Sequence, residues 1–288
     1  MFDGIFEAID EWIRGLLIGI IRFNLTTMFD DINEKTAGIA AQVGKTPQAW
    51  NSSIFSLIRN LSDSVIMPIA GMVITFVLCY ELISMLTAKN NMNEIDTWMF
   101  FKYFFKMWVA VYLVSHTFTI TMAVFDVGQH LASAAGGVIS SQTAVNVDFM
   151  VDEIAESKGY AELAVLAMET MLVSLYMKIM SVLIVVILYG RMVGLYLYTS
   201  VAPIPFATIT MSNLDWGRIG NGYFRGLLAF AFQGFFMMVC VGIYAVLVSN
   251  IHVSDNIHLA LFEVSAYTLI LCTWLKRTEG LSRSIFNA

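Results

Sequence analysis

The 288-residue chain is 58% apolar and 13% charged, with a mean hydropathy of +0.73; that is about half the charge of a soluble domain. This excludes an ordinary soluble fold and selects an all-α integral membrane protein, whose length is counted in spans of about 20 residues. The formal net charge is −6 and there is no basic run, which argues against direct duplex-DNA binding.

Residues 2–21 place Phe2, Ile5, Phe6, Ile9, Trp12, Ile13, Leu16, Leu17 and Ile20 at helical spacing, with Asp3, Glu7, Asp10, Glu11 and Arg14 between them. The pattern predicts an amphipathic helix, too charged at its start to span a bilayer, which lies in the interface or packs on a partner. The acidic opening also lacks the basic start of a secretory signal, so no cleaved signal is expected. Residues 24–64 are polar, with Asn33, Gly38 and Gly44 as turn residues. Thr46-Pro47 then reads as the N-cap and first-turn proline of a short helix through Leu61. Gly44-Lys45-Thr46 is not a phosphate loop, because Ile39 stands where that motif needs glycine and Pro47 follows.

Spans are predicted at Val65–Leu86, Met107–Val127, residues 163–189, Leu227–Val248 and Leu259–Leu275. Residues 192–211 are apolar but contain Pro203 and Pro205, which remove backbone donors and interrupt a helix. Basic residues cluster at 88–106 (Lys89, Lys102, Lys106), 190–225 (Arg191, Arg218, Arg225) and the tail (Lys276, Arg277, Arg283). The segment 128–162 carries five acids against Lys158 alone, and 250–258 has no lysine or arginine. Every basic stretch falls on the cytoplasmic side if 192–211 enters and returns on one side. The reading is therefore about five transmembrane helices plus a Pro-broken re-entrant hairpin, six if it crosses fully. Residues 1–64 form an extracytoplasmic segment and 65–288 the polytopic domain, with an acidic outside loop at 128–162, the N-terminus outside and the C-terminus inside.

Ionisable or strongly polar residues inside spans are costly and mark either structural pairs or a path. Glu81, His116, Glu169, Lys178, Gln233 and Glu263 are such candidates, and Lys178 is expected to pair with Glu81 or Glu263. His116 between Ser115 and Thr117 reads as a hydrogen-bonded packing residue. Small residues at Gly190, Gly194, Gly222, Gly226 and Gly234 predict close helix approach. His252, Asp255 and His258 have a spacing compatible with a metal but no further ligand. The three cysteines, Cys79, Cys240 and Cys272, lie in apolar stretches and offer no disulfide framework. No Ser/His, paired-Asp or His-Glu-x-x-His arrangement sits at membrane depth, so neither an enzyme nor a cofactor is expected.

The stretch Ser200-Val-Ala-Pro203-Ile-Pro205-Phe206, the following Asn213-Leu-Asp-Trp216-Gly-Arg218-Ile-Gly220-Asn-Gly222-Tyr-Phe-Arg225 and the span with Gln233-Gly234 resemble the TrbL-like polytopic subunits of type IV secretion. Thr46-Pro47, Pro68-Ile-Ala70 and Glu81-Leu-Ile-Ser84 are similar to the short TrbL-like proteins of Gram-positive mobile elements. The resemblance covers about residues 40–280. It implies a cytoplasmic-membrane channel or scaffold subunit supporting DNA transfer in conjugation, oligomeric, surrounded by lipid, and working with other secretion subunits including separate ATPases. A small-solute secondary transporter is the alternative. It would also use a broken helix and buried carboxylates, but the chain has no inverted repeat to match the Pro-broken segment.

Overall fold

A computed structural model describes residues 2–87, 97–139, 159–210, 215–251 and 257–288, and the regular elements among them are all helical. The first helix, α1 (Phe2–Val43), is 42 residues long and runs through Asn33 and Gly38, which had been expected to turn the chain. A lone glycine costs a helix only about 1 kcal/mol. Against that cost stands a stripe at helical spacing, Ile21, Leu25, Met28, Ile39 and Val43, each at most 2% exposed.

Thr46 caps α2 (Pro47–Trp50) by accepting from the Ala49 N–H at 3.0 Å, but the helix stops after one turn. Asn51 is extended there and caps the next helix, α3 (Ser52–Leu61), accepting from the Ser53 and Ile54 N–H groups at 3.1 and 3.0 Å. Two short helices thus stand where one was predicted. A π-helical turn, Ser62–Ile66, joins α3 to α4 (Met67–Thr87) just before Pro68, where the backbone loses a donor.

The remaining helices are α5 (Thr97–Ser115), α6 (Thr117–Ile139), α7 (Tyr160–Ser200), α8 (Pro203–Phe206), α9 (Asp215–Ser249) and α10 (Ile257–Phe286). Four helical stretches among the described residues are long and apolar enough to cross a membrane: Ser52–Thr87, Tyr160–Ser200, Gly217–Ser249 and Ile257–Phe286. The protein is therefore an all-α, multi-pass membrane protein.

Two boundaries differ from the expected ones. The predicted span Met107–Val127 is bent by 69° between α5 and α6, so this pair is a broken span or a re-entrant loop. Three consecutive side chains explain the bend. Ser115 Oγ donates to Val111 O at 2.7 Å, His116 Nδ1 to Tyr112 O at 3.0 Å, and Thr117 Oγ1 to Leu113 O at 2.9 Å. Such bonds to the preceding turn pull carbonyls away from the helix axis. Second, residues 192–200 do not stand apart from 163–189: they continue α7, which is 41 residues and about 60 Å long. No proline lies within α7, so the backbone ladder is unbroken until Pro203.

The chain divides into two compact units. The first comprises Met1–Val43, Ser133–Leu188 and Met237–Arg277. Polar bonds link its helices: Asn24 Nδ2 donates to Thr170 Oγ1 at 3.3 Å, Tyr176 Oη to Ser265 O at 3.2 Å, and Tyr244 Oη meets Thr268 Oγ1 at 3.1 Å. The second comprises Gly44–Ala132, Tyr189–Phe236 and Thr278–Ala288. Its core gathers Ala70, Ile74 and Leu78 of α4, Ala110 and Val114 of α5, Ala202, Phe206 and Ala207 around α8, and Tyr223 of α9. The predicted outside loop 128–162 is helical as far as Ile139, and Lys102 and Lys106 stand on α5, not in a loop. Residues 140–158, 88–96, 211–214 and 252–256, with His252 and Asp255, lie outside the described residues.

Candidate functional site

The interruption that Pro203 and Pro205 create is the center of the second unit. Pro203 removes the donor that Thr199 O would accept, and the Ala202 N–H takes it at 3.2 Å. Pro205 does the same to Val201 O, which accepts from the Ile204 N–H at 3.2 Å. Thr199 and Ser200 hydroxyls donate to Leu195 O and Leu197 O, and Thr208 Oγ1 donates to Pro205 O. These bonds matter because the segment is buried: Ala202 and Ala207 are 0% exposed and Pro203 is buried as well. Irregular backbone at such a place survives only with its polar groups satisfied.

The helix α9 closes on this break through Gly220. A Cβ there would lie 2.6 Å from Ile209 Cα and 2.7 Å from Pro205 O, so only glycine permits this approach. Three residues on, Tyr223 and Tyr198 of α7 form a reciprocal clasp. Their rings stack at 4.4 Å and 8°, Tyr223 Oη donates to Tyr198 O at 2.7 Å, and Tyr198 Oη donates to Tyr223 O at 3.1 Å. Gly226 leaves the space that the Tyr198 hydroxyl occupies. A similar close approach joins α6 to α9, where Gly128 lies against the Ala231 backbone. Behind the clasp, Tyr196 Oη donates to Pro47 O at 2.6 Å, and Trp50 meets the Tyr189 ring at 5.2 Å.

The candidate polar residues are distributed between the units. In the second, Glu81 pairs with Lys106 of α5, not with Lys178, and Tyr103 Oη donates to Leu78 O at 2.9 Å beside it. Physical proximity decides this pairing, since α4 and α5 pack together. His116 is exposed, stacked on Tyr112 at 4.2 Å in the bend. Gln233 is buried at 4% exposure, and its Oε1 has no hydrogen-bond partner. In the first unit, Glu169 pairs with the His258 ring, Glu263 is half-buried, and Lys178 is exposed. Of the glycines, a Cβ added at Gly194 would lie 3.4 Å from the Phe230 ring and Gly234 is buried, whereas Gly190 and Gly222 have nothing within 4 Å of an added Cβ. Tyr198, Tyr223, Gly220 and Gly128 escaped the sequence reading. Gly220 stood in the quoted motif, but nothing in spacing separates it from Gly222.

The family model described as TrbL/VirB6 plasmid conjugal transfer like protein matches residues 32–203, more than half of the chain. The chain belongs to the TrbL/VirB6 family. The match runs from α1 to Pro203, so it includes the capped turn at Thr46, all of α4 to α7 and the beginning of the break. No curated protein and no solved structure matches the chain. As a TrbL/VirB6 protein it is a multi-pass membrane subunit of conjugal transfer by type IV secretion, a structural component that acts with other components of that system.

Proposed function

We propose that this TrbL/VirB6 chain is a channel or scaffold subunit through which conjugating cells pass DNA across the cytoplasmic membrane. The family match carries the reading, together with the long apolar helices and the buried break at Pro203 and Pro205. Several copies surround or support the path, separate ATPases supply the energy, and the chain is inert alone. The N-terminus lies outside and the C-terminus in the cytoplasm, which keeps Arg191, Arg218, Arg225 and the basic tail inside. Glu81, His116, Glu169, Lys178, Gln233 and Glu263 are the polar residues assigned to the path or to the pairs that hold it.

The test is conjugative transfer with substituted chains. Lys178→Ala and Pro205→Ala should abolish transfer while the protein stays inserted; transfer at the wild-type frequency in both would remove the path from the reading. Orientation is read separately by thiol labelling of intact cells with single cysteines at positions 145, 96 and 215. Labelling at 145 alone agrees with the proposed sidedness, and labelling at 96 but not 145 overturns it.

A further inference from the structure

Two complementary polar atoms are stranded inside the second unit. Arg191 Nε is a donor with no solvent exposure and no hydrogen-bond partner, and Gln233 Oε1 is an acceptor in the same condition. The packing of α7 on α9 relates them. The Tyr198 hydroxyl sits over Gly226, and the next contact along the antiparallel pair is Gly194 on Phe230. Arg191 is seven residues before Tyr198 and Gln233 seven after Gly226. Seven residues are two helical turns, so both side chains rise from the facing stripes at the next level of the same interface.

The charge there is unbalanced. Phe230 lies under the guanidinium of Arg283 at 5.3 Å, and Arg283 already has its carboxylate in Glu279 at 3.1 Å. Among the described residues no carboxylate pairs with Arg191. A guanidinium in an apolar helix is costly without a counter-ion. The adjoining position is open: Gly190 has nothing within 4 Å of an added Cβ. The outer surface of this part of α7 is apolar, with Val193 and Leu197 at 50% and 61% exposure. That surface calls for lipid chains, not for water.

We propose that Arg191 and Gln233 seat the headgroup of an anionic phospholipid between α7 and α9. The phosphate accepts from the guanidinium, the pairing geometry in which arginine is strongest. A headgroup hydroxyl, as in phosphatidylglycerol, donates to Gln233 Oε1. Basic pockets between membrane helices take anionic headgroups by this chemistry. The inference stands apart from the DNA-channel reading, since it concerns the lipid around the chain and not the cargo.

The experiment uses the full chain in a neutral detergent, titrated with dihexanoyl phosphatidylglycerol or dihexanoyl phosphatidylcholine and read by native mass spectrometry. The phosphatidylglycerol should bind saturably and the phosphatidylcholine should not. Arg191→Gln should weaken binding about tenfold, the loss of one charge-assisted hydrogen bond. Arg191→Lys, which keeps the charge, should retain most of it. Equal binding of both lipids to the wild type overturns the proposal without any variant, as does unchanged phosphatidylglycerol binding by Arg191→Gln. Inorganic phosphate binding as tightly as the lipid, or displacement of the lipid by a thymidine oligonucleotide, overturns the lipid as occupant.

Discussion

Replacing Gly220 or Gly222 by alanine adds the same methyl group to the same helix two residues apart, and the structure assigns the two changes opposite signs. At Gly222 the new Cβ meets nothing within 4 Å. Alanine there should stabilise the chain by about 0.5–1 kcal/mol, the usual gain over glycine inside a helix. At Gly220 the Cβ would lie 2.6–2.7 Å from Ile209 Cα, Ile209 N and Pro205 O, all of them backbone atoms. No rotamer change can relieve that contact, so the α8 turn itself must move. Overpacking of this kind costs about 1–3 kcal/mol, which outweighs the helical gain and leaves Gly220→Ala net destabilised by up to about 2.5 kcal/mol. The assay is thermal unfolding of the purified chain in detergent, followed by tryptophan fluorescence. The two variants should shift the midpoint in opposite directions. Equal shifts, or a neutral Gly220→Ala, would refute the close approach of α9 to the proline break.

Three further outcomes test the same architecture. Tyr198→Phe and Tyr223→Phe should each cost about 1 kcal/mol for one hydrogen bond, and a double-mutant cycle on unfolding should show coupling, because the same stacked pair holds both bonds. Ser115→Ala with Thr117→Val should relax the 69° bend. Spin labels at positions 101 and 130 should then separate from about 35 Å to about 43 Å, as the rise of two helical arms requires, and an unchanged distance would place the cause of the bend elsewhere. Glu81→Gln leaves the Lys106 ammonium without its carboxylate, and the partners are only 22% and 29% exposed. The loss should be about 1–2 kcal/mol, and the exchange Glu81→Lys with Lys106→Glu should recover part of it in the same unfolding assay.

Composition and periodicity were enough to determine the class of this protein. Apolar runs of about 20 residues with little charge mark membrane spans, and prolines at 203 and 205 remove donors wherever they stand, so helical spans and a break near 203 follow from local chemistry. The family resemblance was legible for the same reason, since it rests on contiguous motifs such as Pro203-Ile-Pro205. The length of α1 was less legible. Asn33 and Gly38 look like turn residues in a window of a few positions, and only burial of the stripe from Ile21 to Val43 makes the helix continue.

Partner choice belonged to the tertiary structure alone. Lys178 and Glu81 look complementary in the sequence, but an ion pair needs its groups within about 4 Å, and the chain brings Lys106 to Glu81 and His258 to Glu169. The same holds for the tyrosine clasp, whose rings are 25 residues apart. Glycines at 220 and 222 are indistinguishable until a neighbouring backbone lies against one of them. What a residue is can be read along the chain, but what it touches depends on helices far apart in sequence, and packing decides that.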